Sequence, residues 1–415
     1  MTRYTKTLLL ACVVWLTSSA AILHAQNVIT TWNAIASTTI VKNAGNGPSP
    51  AGVYFAYAAI ATYDAVNAID NGGQPFYFDE RAWPQASQEA AAAAAAHKVL
   101  VYYFNGQKST LDQTYQATLA GIAASPRAIE EGVKVGEAAA DALILARTRD
   151  GVGANVTYTP GSGPGAWQPT PPGFLAPATP WLGQMRPFTF NSPGWFLPPG
   201  PPALDSAEWQ RDYNVTKLLG GKTGSARTPS QTEIGTFYVE NTAQQYARLF
   251  NNLASQYHLS LPETARFMAM LWTGAADSAI ACYNAKYHYG FWRPVTAIPM
   301  GGGNADLAAD AGWLALGTTP NHPEYPAAHA CLTGAVTQMI TEYFQTPRVH
   351  FVVDSLQFTP AHQHTFEDPN DLLEEVRWAR IYAGFHFYSS VVDGGELGQK
   401  IARYVAWNYF KPKRQ

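Results

Sequence analysis

Between Gly151 and Pro202 the chain carries 13 of its 29 prolines, interleaved with glycines and with Trp167, Trp181 and Trp195. Proline lacks a backbone N–H and fixes φ, so neither a helix nor a central strand crosses such a stretch. The chain is thereby divided, and the parts on either side must each build their own regular elements. The aromatic residues argue against a disordered linker, because disordered segments are poor in them. We read residues 151–203 as an ordered belt packed over its flanks, and ordered irregular segments of this length are commonly functional. The belt is thus a candidate wall of a site.

Both flanks read as helical. Trp32, Ile35, Ala36 and Ile40 share one helical face, a Gly/Pro break follows at 45–50, and the spacing resumes from Tyr54 to Ile69. The run Ala86 to Tyr103 contains seven consecutive alanines, Ala90 to Ala96, and alanine is the best helix former. Residues 111–124 and 128–147 continue the pattern. Helices resume at Leu204, and the sequence Ser260-Leu261-Pro262-Glu263 is a capping box with proline in the first turn. Its apolar periodicity runs to about Tyr283, and the charge-poor string Thr264 to Ala281 predicts a helix buried on most faces. Further helices are predicted over 326–344, 372–385 and 396–409, and no β-hairpin series is legible. The expected fold class is all-α: two helical bundles, 26–150 and 204–415, joined by the Pro/Gly-rich belt.

Residues 1–25 read as a secretory signal, with basic Arg3 and Lys6, an apolar run from Leu8 to Leu16 and a small-residue cleavage site at Leu23-His24-Ala25. A lipoprotein box ending at Cys12 fits less well, since the apolar run continues past it. The expected product is exported, periplasmic or secreted, and no later stretch approaches the roughly 18 apolar residues of a membrane span. With 27 Lys+Arg against 30 Asp+Glu, the chain lacks the bulk positive charge that nucleic acid or an anionic membrane requires. Any anion site must be a local cluster. Beyond the signal only Cys282 and Cys331 remain, and a disulfide or two buried thiols are both open.

Three segments concentrate the chemistry. In Lys286-Tyr287-His288-Tyr289-Gly290-Phe291-Trp292-Arg293-Pro294 a helix runs out into an extended exit, because Pro294 biases Arg293 away from helical geometry. Two cations so placed clamp a tetrahedral oxyanion. In Glu324-Tyr325-Pro326-Ala327-Ala328-His329 a proline at the helix start leaves the N–H groups of Ala327 and Ala328 aimed outward at the positive end of the helix dipole, with His329 in reach as acid or base. In Arg380-Ile381-Tyr382-Ala383-Gly384-Phe385-His386, Gly384 permits close approach and Arg380 and His386 stand at a helix end.

The spacing Lys-x6-Arg-Pro, then Pro-x-x-His, then Arg-x5-His with glycine two before the histidine resembles the vanadium-dependent haloperoxidase and type-2 phosphatidic acid phosphatase superfamily. Thr31-Trp32-Asn33, Tyr63-Asp64-Ala65-Val66-Asn67-Ala68-Ile69 and Pro164-Gly165-Ala166-Trp167-Gln168-Pro169-Thr170-Pro171-Pro172 resemble its soluble exported bacterial members. The resemblance implies that Lys286, Arg293 and Arg380 bind the oxygens of vanadate or phosphate. His386 would be the axial vanadium ligand, or in a phosphatase the nucleophile that becomes phosphohistidine, and His329 would be the acid/base. Lys286 would further polarise peroxide for attack by halide.

The implied function is halide oxidation by hydrogen peroxide with vanadate as cofactor and a small organic acceptor. Acid phosphatase and a non-catalytic oxyanion-binding protein are the alternatives, and phosphate would occupy the same site. A homo-oligomer is left open. The chain departs from the family pattern twice. Ala327-Ala328 stands where Ser-Gly is usual, and Ser390 stands where many members carry an aspartate that orients the histidine, a role for which Asp393 is a candidate.

Other patterns are weaker. Gly220-Gly221-Lys222-Thr223 lacks the first glycine and the preceding strand of a P-loop, which leaves a glycine turn. His362-x-His364 and His322 have no acid or cysteine spaced to complete a metal site, so a surface loop is the reading for 362–364. His288 either lines the halide pocket or packs beside Trp292. Tyr283, Tyr287 and Phe291 read as core, and Asn155 and Asn214 head sequons that matter only in a eukaryotic host.

Overall fold

The computed structural model describes residues 27–413, so the predicted signal segment 1–25 lies outside the described residues. The first half contains α1 (Val28–Ser37), α2 (Pro48–Asp70), α3 (Gln88–Tyr103), α4 (Lys108–Ala120) and α5 (Pro126–Ala146). After the belt come α6 (Ala207–Gly220), α7 (Pro229–Phe237), α8 (Thr242–Gln256), α9 (Leu261–Tyr289), α10 (Pro294–Ala297) and α11 (Ala328–Phe344). A ribbon of β1 (Phe351–Ser355) and β2 (His362–Phe366), α12 (Pro369–Tyr382) and α13 (Tyr388–Asn408) complete it. The architecture is mostly helical, as expected, and among the described residues no helix is long and apolar enough to cross a membrane.

The alanine run does more than favour a helix. All seven residues are buried, and they admit α5 at backbone distance: a Cβ added at Gly136 of α5 would lie 2.3 Å from the Ala91 carbonyl. The predicted capping box forms, with the Ser260 N–H donating to Glu263 Oε2 at 2.8 Å. It starts the 29-residue α9, which runs through the middle of the molecule against α2, α11 and α13. One apolar cluster extends from Val28 to Phe410, so the two helical halves share a core. The pair α11 and α13 meets over glycines, since a Cβ at Gly334 would sit 2.3 Å from the Gly395 carbonyl. Cys282 of α9 and Cys331 of α11 pair as a disulfide with Cα atoms 6.4 Å apart, which resolves the question the sequence left open.

The belt is ordered and clipped to α9. Trp167, Leu182 and Met185 are fully buried, and the Trp167 N–H donates to the Gly290 carbonyl at 2.6 Å. Farther along, Asp277 of α9 accepts the Phe188 N–H at 2.6 Å and the Thr189 N–H at 3.1 Å. Asp277→Ala leaves these buried donors unsatisfied and is expected to lower stability by about 3 kcal/mol, measured by urea denaturation, with new proteolytic cuts near residue 190. Burial raises the Asp277 pKa to about 6. A carboxyl raised in the folded state contributes its full stability below the unfolded carboxyl range and loses it as pH rises through about 6. Asp277→Asn should therefore flatten the wild-type decline in stability between about pH 4 and 6.

One element departs from expectation. Residues 362–364, predicted as surface loop, form β2, antiparallel to β1 with Phe351 opposite Phe366 and Ser355 opposite His362. β1 alternates buried and half-buried positions, whereas β2 is polar except at Phe366 and so carries no apolar alternation to read.

Candidate functional site

α9 ends at Gly290, whose φ of 56° is the left-handed conformation that glycine adopts without strain. Its last turn carries Lys286, fully buried, with Nζ donating to the carbonyls of Pro323 at 2.8 Å and Glu324 at 2.9 Å. The exit strand is pinned to the belt, where the Trp292 N–H meets the Gly165 carbonyl at 3.0 Å. Arg293 is extended, as Pro294 requires. Its guanidinium donates through Nε to the His322 carbonyl (3.0 Å), through Nη1 to the Phe385 carbonyl (2.8 Å) and His386 Nε2 (3.1 Å), and through Nη2 to His322 Nδ1 (3.0 Å). Arginine only donates, so His386 Nε2 is an acceptor and the ring proton sits on Nδ1. That proton goes to Glu324 Oε1 at 2.8 Å, and the same oxygen accepts the Phe387 N–H at 3.0 Å.

The third cation, Arg380, leaves α12 with Nη1 on the Tyr238 carbonyl at 3.0 Å and the guanidinium 4.7 Å from the centre of the Phe385 ring. Gly384 has a φ of 75°, and a Cβ there would lie 2.4 Å from the Gly220 carbonyl. The close approach expected at Gly384 is thus to the α6 backbone, and Gly220-Gly221 is a glycine turn with Gly221 bridged to Ala315.

A cavity of about 340 Å³ opens over these groups, lined by Tyr283, His322, Ala328, His329, Arg380 and His386. The N-terminus of α2 and the segment Tyr238 to Thr242 form its rim. Arg293 and Lys286 stand immediately behind. Buried, with no hydrogen-bond partner, are His329 Nε2, Arg380 Nε and Glu324 Oε2. Three cations and three histidines thus share a desolvated pocket with the Glu324 carboxylate, while Glu240 on the rim is paired with Arg248. The electrostatics record this. Burial, then Arg293, hold the Lys286 ammonium well below the ordinary lysine range. Burial lowers Arg293 to about 10 and Arg380 to about 9. His322, His329 and His386 are all held well below 6.5 by burial and the neighbouring cations. Burial raises Glu324 to about 7. A pocket that destabilises its own cations to this degree lacks a negative partner. The orphaned Arg380 Nε and the uncompensated cations fit an oxyanion, vanadate or phosphate, with the His329 and His386 rings lining the same cavity.

Two local expectations are corrected. The helix start lies at Ala328, because Ala327 is extended and acts as N-cap. The Ala327 N–H is taken by the Ser390 carbonyl at 3.0 Å, so the expected pair of free N–H groups reduces to Ala328, which alone of the two lines the cavity. Asp393 accepts the Tyr325 hydroxyl and does not reach His386. The orienting carboxylate is Glu324, with the Ser390 hydroxyl near the Glu324 carbonyl at 3.5 Å. Tyr283 is buried in the core, as expected, and also lines the cavity, which His322 joins through Arg293. His362 and His364 lie elsewhere, on β2, paired with Glu233 and Glu375. Among the described residues no group of three or more His, Cys, Asp or Glu is arranged to hold a metal cation.

Residues 266–412 match the family model of the VCPO second helical-bundle domain. The vanadium chloroperoxidase of Curvularia inaequalis is 26% identical over 178 residues, an alignment that covers 35% of this chain and only 29% of that protein. The fold is that of a bacterial vanadium-dependent iodoperoxidase, with a TM-score of 0.78 at 21% identity over 93% of this chain and 97% of that one. A holo-type bacterial vanadium-dependent chloroperoxidase superposes with a TM-score of 0.71 at 18% identity, over 89% and 93% of the two chains.

Proposed function

From its likeness to vanadium haloperoxidases, we propose that this chain binds vanadate in the pocket of Lys286, Arg293, Arg380 and His386 and uses hydrogen peroxide to oxidise a halide, with a small organic molecule as final acceptor. The observation that carries this is the uncompensated buried positive charge around the orphaned His329 Nε2 and Arg380 Nε. When bound, vanadate supplies Lewis-acid activation of peroxide without change of oxidation state.

The residues supply the rest. Arg293 and Arg380 would neutralise the oxyanion, and Ala328 would add a helix N-terminus. Lys286 stands behind with its ammonium destabilised, ready to exchange a carbonyl partner for an anionic one. Glu324 fixes the His386 tautomer so that Nε2 keeps its lone pair. His329, with Nε2 free and its pKa depressed, is neutral near pH 7 and suited to take a proton from incoming peroxide.

Phosphomonoester hydrolysis through phosphohistidine is the second reading, favoured by the Glu324 carboxylate on His386, which supplies the orienting acid that Ser390 lacks. The Cys282–Cys331 disulfide supports an exported protein, since such bonds persist in oxidising compartments.

The deciding measurement is peroxide- and bromide- or iodide-dependent halogenation of a chromogenic acceptor by phosphate-free protein as orthovanadate is titrated in. A saturable rise is expected, abolished in His386→Ala. A flat response withdraws the haloperoxidase reading. Hydrolysis of an aryl phosphate, inhibited by vanadate, then establishes the phosphatase, and neither activity leaves a non-catalytic oxyanion binder.

A further inference from the structure

Tyr238 closes α7 and opens the segment that walls the cavity. Its backbone carbonyl accepts from Arg380 Nη1 at 3.0 Å and lies beside the ring of His329, whose pKa it raises. A single peptide carbonyl thus faces both an anion-binding cation and the candidate proton-transfer group. Rotation of that peptide would move both at once.

The Tyr238 side chain points the other way, out of the pocket. Its hydroxyl donates to Glu375 Oε1 at 2.6 Å, and the same oxygen meets His364 Nδ1 at 2.6 Å. His364 Nε2 lies 3.2 Å from Glu233 Oε2, and Glu233 Oε1 lies 2.9 Å from His362 Nδ1. The His364 ring stacks on Phe237, centroids 3.9 Å apart, and the Phe237 carbonyl accepts the Ser355 hydroxyl at 2.8 Å. Two residues beyond Tyr238, Glu240 is gripped by Arg248, which also reaches Asp354 of β1 at 2.8 Å. The ribbon therefore meets the wall segment at three points.

We infer that Tyr238, Glu375 and His364 are positioning residues: through the Tyr238 peptide they fix where Arg380 and His329 stand in the oxyanion pocket. This rests on the oxyanion reading of the site and not on halide oxidation. Four groups face the His364 ring: Glu375 from α12, Glu233 from α7, His362 from its own strand and the Tyr238 hydroxyl. Burial pulls the His364 pKa down, but the Glu375 hydrogen bond and both carboxylate charges outweigh it and raise the ring above the ordinary histidine range. The two carboxylates therefore favour the His364 cation, and the ring lets go of Glu233 as pH rises through its own pKa.

The test is calorimetric titration of the full chain with inorganic phosphate and with orthovanadate. Tyr238→Phe, which removes one hydroxyl, and Glu375→Gln are each expected to weaken both anions about tenfold, the usual effect of disturbing an outer-shell partner. Their melting midpoints should stay within about 3 °C of wild type. His362→Ala, at the exposed end, should bind as wild type. Raising the pH should weaken binding more in wild type than in His364→Gln. Full affinity in both Tyr238→Phe and Glu375→Gln would overturn the inference and leave the cluster a staple of the ribbon, and if Tyr238→Phe does not fold, Glu375→Gln alone decides. A wild-type protein that binds neither anion would overturn it together with the oxyanion site. One that binds both but oxidises no halide removes the proposed activity and leaves this inference standing.

Discussion

Arg380→Met is expected to weaken phosphate and vanadate binding about a hundredfold while leaving the anion-free protein as stable as wild type or more so. A charge-assisted hydrogen bond to an oxyanion contributes about 1.5–3 kcal/mol, and the buried guanidinium adds Coulomb attraction in a pocket from which water is excluded, so a loss near 3 kcal/mol, about a hundredfold, follows. Without the anion the balance reverses. Arg380 is 2% exposed, its Nε has no acceptor, and burial followed by Arg293 lowers its pKa to about 9. A cation whose folded pKa is depressed gains stability only as pH rises through that value, so at pH 7 the unfavourable burial of its charge is felt in full. Methionine keeps the apolar volume beside Phe385 and removes that charge. Thermal melts with and without 10 mM phosphate would show it: the wild-type midpoint rises with anion and the variant midpoint does not. A variant that melts lower without anion and binds as before would mean that Arg380 packs the core and does not meet the ligand.

That reversal also explains what could be read from the sequence. Lys286, Arg293, Arg380, His329 and His386 stand in short segments whose spacing is set by local geometry, a helix exit before proline or a helix start after it. Such rules act within a few residues, and the structure brings His329, Arg380 and His386 to one cavity with Arg293 and Lys286 behind it. Glu324 was in plain view two residues before Pro326, yet its role depends on His386, 62 residues away. The available signal is negative: Ser390 leaves the histidine without its usual acid, and nothing in the sequence points from there to Glu324. Asp393 was closer in sequence, but a helix places it on Tyr325.

The Ala327 N–H lies just outside the helix, because a proline followed by small residues marks a helix start only to within a residue or two. Tyr238 had no signal at all, since its contribution is a backbone carbonyl that any residue possesses. The seven alanines show the same limit. Propensity predicts their helix, but the glycines of α5 that fit against them are 42 and 45 residues downstream, Gly132 on Ala90 and Gly136 on Ala91, and pairing of surfaces is not written in either segment alone.

Glu324→Gln should separate vanadate from phosphate. Glu324 is fully buried, accepts the Nδ1 proton of His386 and the Phe387 N–H on one oxygen, and leaves the other unpartnered. Glutamine is nearly isosteric, and its carbonyl oxygen can accept both donors, so the ring stays in place. What disappears is the negative charge behind Nδ1, which makes Nε2 a better electron-pair donor. Vanadate bonded through that nitrogen is therefore expected to bind about 10–100-fold more weakly in the variant. Phosphate held at equilibrium by charge and hydrogen bonds has no such dependence. Removing a carboxylate from beside three cations favours any anion, so phosphate affinity should be unchanged or higher. Paired calorimetric titrations read both affinities in one protein, and the contrast between them is the result that matters. Equal weakening of the two anions would show that Glu324 only supports the pocket wall. Equal retention would show that His386 does not bond to vanadium, which would remove the assignment of that histidine along with the activity proposed for it.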